Sequence, residues 1–437
     1  MARTETLSKA GVPGITFVRE LGGIQEYRLE KNGLQILLIP DPASPVAGVM
    51  VTYRVGSRNE AIGHTGATHL LEHLMFKGSK HFNKKNKRTT FELLENKGAR
   101  VNATTWFDRT NYYEVLPREH VAVALALEAD RMQNAFITEA DRASEMPIVR
   151  NEFEIGENNP SEALDKQLWA IAYQAHPYHH SVIGWRSDIE QVSIERLQQF
   201  YKDFYRPDNA TVSVAGGFDT KEVLTHIKKS FGVHARPKAP LPPVYTTEPK
   251  QEGERRVVVR RAGHTNVVAI AHKIPEATHA DMPALLLLSL VLSEGKTSRL
   301  FRAFADTSKA TDVTAVCYQL RDPGLFTSFV TLAPQVSHDS VEKGLKEIFS
   351  DVAGRGVTAA ELGRAKQSVR SHVASRRDGP FALLYNLNEE IAVSDWTRFL
   401  TFPEALAKVT PREVQAVAKK YLVEDQSTVG HFIGTAL

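Results

Sequence analysis

Residues 192–202 read VSIERLQQFYK, and residues 409–419 read VTPREVQAVAK. At an offset of 217 residues (192 to 409), Val192, Ser193, Gln198 and Lys202 fall on Val409, Thr410, Gln415 and Lys419. At the same offset Thr211 and Val212 fall on Thr428 and Val429, and Gly217 falls on Gly434. Each segment reads as an amphipathic helix followed by a strand. Ser193 and Thr410 serve as N-caps, and Pro411 sits at a first helical position. Two helix-to-strand closings at one spacing point to internal duplication, so the chain must fold as two related bodies rather than one large one. The proline-rich, aperiodic stretch 237–252 (PKAPLPPVYTTEPKQE) then separates an N-terminal domain at 1–236 from a homologous C-terminal domain at 253–437.

Within the first half, 33–41 and 46–57 read as strands, 66–77 and 89–97 as helices, 99–116 as a strand pair, and 119–135 and 140–158 as long helices. The second half repeats the theme, with strands near 255–272 and 326–333 and helices near 281–292, 296–306, 359–374 and 411–422. This is an α+β pattern, two domains each with a mostly antiparallel sheet packed with helices, and it lacks strict βαβ alternation.

Composition removes several function classes. A net charge of +3 over 437 residues gives no reason to expect nucleic acid or an anionic membrane as partner. Cys317 is the only cysteine, so an intrachain disulfide or a thiolate cluster is excluded and any metal must be held by His, Asp or Glu. No apolar run reaches the ~18 residues of a membrane span, and the longest candidate, at 282–295, reads as a buried helix. MARTETLSKAGVPG lacks an apolar leader core, so the cytoplasm is the expected compartment, or the periplasm if a signal peptide has been removed.

Residues 68–78 read THLLEHLMFKG. On a helix His69, Glu72 and His73 share a face while Leu70, Leu71 and Leu74 point largely elsewhere. Two imidazoles one turn apart can hold one zinc ion, with Glu72 beside it to take a proton from its water; this is the inverted H-x-x-E-H pattern. A surface helix with two solvated histidines is the ordinary alternative, but the apolar surroundings and the preceding GHTGAT turn favour the metal. A third ligand must be a carboxylate. Glu145, Glu152, Glu154 and Glu157 lie on one predicted helix, and Glu145 and Glu152, seven apart, share a face. One of that pair could bind the metal while the other supports a ligand.

Taken with LEKNGLQILLIPD, GARVNATTWFDRTNYYEVLP, LEADRM, EMPIVRNEFE, HPYHHSVIGW and FYKDFYRPDNATVSVAGGFD, in that order, the motif resembles the pitrilysin/insulinase family of inverted-motif zinc peptidases over nearly the whole chain. The family includes the mitochondrial processing peptidases, and the likeness is greatest to two-domain bacterial members. The resemblance implies one zinc ion per chain on His69, His73 and Glu152, Glu72 as general base, Glu145 as a supporting carboxylate, and a C-terminal domain without a metal site. It further implies that the NATTW segment is an edge strand to which a substrate peptide adds, with Asn102 and Ala103 contacting it near the scissile bond.

The chain departs from the family at one place. Active members carry an Arg and, seven residues on, a Tyr after an SRL segment; here the aligned positions are Ala305 and Asp312, and the next tyrosine is Tyr318. Arg377 and Tyr385 stand in a different context and are not accepted as substitutes. The resemblance therefore implies the zinc-bearing member of a heterodimer, whose second two-domain chain supplies the Arg/Tyr pair. A self-paired dimer is the less favoured arrangement, and a non-catalytic peptide-binding or scaffold subunit is the alternative function. Two other features read as loops: the basic KHFNKKNKR at 80–88, a solvated segment, and HPYHH at 176–180, where Pro177 breaks a regular helix.

Overall fold

Duplication shows directly in the order of the strands. The computed structural model describes residues 11–435, apart from residue 376 and the side chain of residue 91; residues 1–10, read above for a leader, lie outside the described residues. The first sheet contains β1 (Ile15–Leu21), β2 (Ile24–Leu29), β3 (Gln35–Pro40), β4 (Val46–Tyr53), β5 (Arg100–Thr105), β6 (Thr110–Pro117) and β7 (Ala210–Gly216) in the order β1-β2-β3-β7-β4-β6-β5. The second contains β8 (Arg255–Ala262), β9 (Val267–Lys273), β10 (Ala310–Cys317), β11 (Leu325–Leu332) and β12 (Ser427–Thr435) in the order β10-β11-β9-β12-β8. Read from opposite ends, β3-β7-β4-β6-β5 and β8-β12-β9-β11-β10 are the same arrangement. Each carries a single parallel pair, β3 with β7 and β8 with β12, in an otherwise antiparallel sheet.

The 217-residue offset holds for the elements that close each half, and β7 at Ala210 falls on β12 at Ser427. The helix Ile194–Phe204 corresponds to Pro411–Tyr421, and the turn Pro207–Asn209 to Glu424–Gln426. Ser193 accepts the Arg196 N–H, and Thr410 forms a capping box with Glu413. The β1–β2 hairpin belongs to the first sheet alone. Its two-residue turn has Gly22 at φ 57° and Gly23 at φ 82°, the conformation that right-twisted strands prefer. That hairpin was not expected, because β1 is largely exposed and shows no apolar alternation.

The compact units do not follow the two contiguous halves expected at 1–236 and 253–437. The first joins the segment ending at Val149 to Val182–Val244 and Ser375–Thr397; the second joins Arg150–Ser181, Tyr245–Ala374 and the segment from Arg398. The reason is a reciprocal exchange of helices. Pro160–Ala172, from the first half, packs on β8, β9 and β12, where a side chain at Gly430 would meet Leu164 at 2.9 Å and Leu168 at 3.2 Å. Gly379–Val393, from the second half, packs on β4, β6 and β7, where a side chain at Gly48 would meet Leu384 at 2.7 Å. The glycine in the middle of each sheet admits the visiting helix.

Each unit has its own apolar interior. In the second, Leu285, Leu288 and Leu292 of the helix Met282–Ser293 pack with Val268, Phe326, Val330 and Val414. Among the described residues no helix is long and apolar enough to cross a membrane.

Candidate active site

The motif helix runs Ala67–Leu74 and is held by its N-terminus. It is entered through Gly66 at φ 84°, where any side chain would come within 2.4 Å of the Ile183 carbonyl oxygen. The buried Glu60 carboxylate accepts the Gly66 and Thr68 N–H groups, both at 2.7 Å. Burial pushes Glu60 up to about 8 against the pull of those bonds. Asp188 accepts the Gly63 N–H and both the N–H and hydroxyl of Thr65, which fixes the GHTGAT turn. Leu70, Leu71 and Leu74 are fully buried and anchor the helix on its other side.

His69, His73 and Glu152 converge: each offers one ligand atom, and these atoms lie within 4.8 Å of one another. The two imidazole rings sit 4.8 Å apart, nearly perpendicular. Burial, and then the neighbouring His73, pushes His69 down to about 4, so at neutral pH it is uncharged and can act as a metal ligand. Glu152 comes from the helix Glu139–Asn158, which is continuous across Val149, where the compact units divide.

Two turns earlier on that helix, Glu145 is buried with Oε2 3.1 Å from His73 Nδ1 and Oε1 on the Lys77 ammonium. Burial acts to raise the Glu145 carboxyl, but the bonds from Lys77 and His73 outweigh it and hold the group below the usual carboxylate range. A carboxylate on the second nitrogen of a ligating histidine fixes the ring's tautomer and orientation. Glu72, 9% exposed, accepts the Thr105 hydroxyl at Oε2.

Thr105 is the last residue of β5, an outer strand of the first sheet. On the same strand Asn102 is exposed and Ala103 is buried. The Ala103 N–H donates to the Asn102 side-chain oxygen at 2.9 Å, and Asn102 also bonds to the Tyr113 phenol.

Ala305 ends a π-helical turn at Phe301–Ala305 within the stretch expected to be an ordinary helix, and Asp312 is exposed on β10. Tyr318 packs edge-on against Trp169. HPYHH forms a single turn, Pro177–His179, with His176 Nε2 2.9 Å from Asp322. Sequence reasoning missed Glu60, Lys77 and Thr105. Glu60 and Thr105 act through contacts that no local spacing announces, whereas Lys77, one turn beyond His73 on the chain, was in plain view of a search for a carboxylate's cationic partner.

Residues 35–185 match the family model described as Insulinase (Peptidase family M16), and residues 191–369 match the one described as Peptidase M16 inactive domain. Zinc protease PqqE of Helicobacter pylori is 30% identical over 404 residues, covering 91% of this chain and 90% of that protein. A probable mitochondrial-processing peptidase subunit beta of Schizosaccharomyces pombe is 36% identical over 209 residues, covering 48% of this chain and 45% of that one. Among solved structures, a protease from Helicobacter pylori superposes with a TM-score of 0.90 at 28% identity, covering 94% of this chain and all of that one. The relatives that match over most of the chain's length include proteins named as zinc proteases. The chain belongs to the insulinase family, peptidase family M16.

Proposed function

We propose that the chain is a zinc-dependent endopeptidase acting on peptides or unfolded segments, and that it is the zinc-bearing subunit of a heterodimer that encloses its substrate. The observation that carries the reading is the convergence of His69, His73 and Glu152 beside Glu72. The donor set fits zinc: two imidazoles, one kept neutral by burial, and a carboxylate make the three protein ligands of a catalytic site. Bound there, zinc supplies Lewis acidity, polarising the scissile carbonyl and lowering the pKa of water towards ~7. Glu72, steadied by Thr105, accepts the proton of the attacking water and returns it to the leaving amine. Glu145 holds His73 in its ligating orientation. β5 receives the peptide as an added strand, with Asn102 and Ala103 contacting its backbone.

A second reading is favoured by one feature. Ala305 and Asp312 offer a methyl group and a carboxylate where active relatives are expected to place a cation and a phenol, as a peptide-binding scaffold would tolerate. Metal analysis of the purified chain separates the two: about one zinc per chain supports the peptidase, and none after zinc addition supports the scaffold.

A further inference from the structure

Arg109 lies in the turn between β5 and β6 and is only 4% exposed. Its guanidinium is forked between two elements. Nε donates to Glu389 Oε1 at 3.0 Å, with Nη2 on the same oxygen, and Glu389 stands on the visiting helix Gly379–Val393. Nη1 donates to the Thr104 hydroxyl at 2.6 Å and the Thr104 carbonyl at 3.1 Å, on β5. The neighbouring Asn388 ties the same helix to β4 through the Thr52 hydroxyl at 2.6 Å. The residue after Thr104 is Thr105, whose hydroxyl reaches Glu72.

Among the described residues β5 is paired on one side only, by β6. A strand held on one side needs other bracing if the groups at its end are to keep a fixed position. The turn itself is docked, with the Trp106 and Phe107 carbonyls accepting the Ser57 and Arg58 N–H groups at 3.2 and 2.9 Å. Arg109 adds the link from strand to helix. A buried ion pair contributes little net stability compared with apolar packing. The planar fork of an arginine, by contrast, fixes direction at two partners at once.

We propose that Arg109 is a positioning residue that ties β5 to the Gly379–Val393 helix through Glu389, and so presents Thr105 to Glu72. The inference rests on the peptidase reading for its catalytic consequence, and its test has an arm that does not. The full chain is loaded with zinc, and Arg109→Gln, Arg109→Lys and Glu389→Gln are compared with it. Arg109→Gln and Glu389→Gln are expected to keep zinc stoichiometry and affinity, to speed amide hydrogen exchange over residues 100–105 while leaving β7 unchanged, and to lower kcat by about 10- to 100-fold through misplacement. Arg109→Lys, which keeps the charge and loses the fork, is expected to recover part of kcat. Glu389 is half-exposed, so its variant folds even where the loss of Arg109 does not. Unchanged exchange over 100–105 in the Glu389→Gln protein would overturn the inference whatever the activity. So would a wild-type kcat in both neutral variants. If the wild-type chain binds zinc yet cleaves nothing with any partner, the peptidase reading falls, and the exchange pattern alone decides the tie.

Discussion

His73 Nδ1 lies 3.1 Å from Glu145 Oε2, and Lys77 occupies the other oxygen of the same carboxylate. In the proposed site this contact sets the orientation of the His73 ring. Glu145→Gln keeps the shape but gives up the charge that makes the imidazole a better donor. Zinc affinity is expected to fall about 10- to 100-fold, measured by competition with a chelator. An unchanged affinity would remove Glu145 from the site.

The role proposed for Glu72 is different, and its variant should separate binding from turnover. Glu72→Gln is expected to retain one zinc per chain and to lose about 10²- to 10⁴-fold in kcat. Peptide cleavage at the wild-type rate would exclude Glu72 as the base.

The gap at Ala305 and Asp312 bears on assembly. Donors aimed at a developing oxyanion contribute about 3–4 kcal/mol each, so a chain without them should be a poor catalyst alone. Addition of a second two-domain family chain carrying the Arg/Tyr pair is expected to raise peptidase activity by at least ~10²-fold. Full activity of the isolated chain as a monomer, shown by sedimentation, would rule this arrangement out.

Leu384 is 2% exposed and enters the first sheet over Gly48. Leu384→Ala is expected to destabilise the first unit by about 2–5 kcal/mol, the range for truncating a buried leucine. Denaturant unfolding followed separately for each unit would register it. A loss confined to the second unit would contradict the exchange of helices.

Acid sensitivity should come from the second unit. Glu248 is held down to about 2; burial opposes this, but the N–H groups of Ala175, Gln174 and His176 and the Lys273 ammonium outweigh it. A carboxyl lower in the folded state than its ordinary value of 4.5 contributes stability that is fully present above that value and lost as pH falls from about 4.5 towards 2. Glu248→Gln is therefore expected to lower the unfolding temperature at pH 7 and to shrink the difference from wild type at pH 2–3. A constant difference across that range would show that Glu248 contributes through packing rather than charge.

The parts legible in the amino-acid sequence are those written at a fixed local spacing. His69, Glu72 and His73 share a helical face because three- and four-residue steps do so in any α-helix, and the same arithmetic over seven residues aligns Glu145 with Glu152. The N-caps Ser193 and Thr410 are equally local. What escaped is set by partners distant in the chain. Glu60 caps the motif helix across a turn, Thr105 meets Glu72 from another strand, and Glu389 meets Arg109 across 280 residues. The helix Pro160–Ala172 was not expected, and even an amphipathic stripe, which shows that a helix packs, is silent on which sheet receives it.

The exchange of helices has a consequence for how the protein is born. When Gly216 has been translated, every strand of the first sheet exists, yet the helix that covers Gly48 begins only at Gly379. At about 5–20 residues per second the ribosome needs roughly 10–30 s to deliver it. For that interval the nascent chain carries an apolar face without the helix that covers it, and the motif-bearing unit can close only after Gly379–Val393 has emerged.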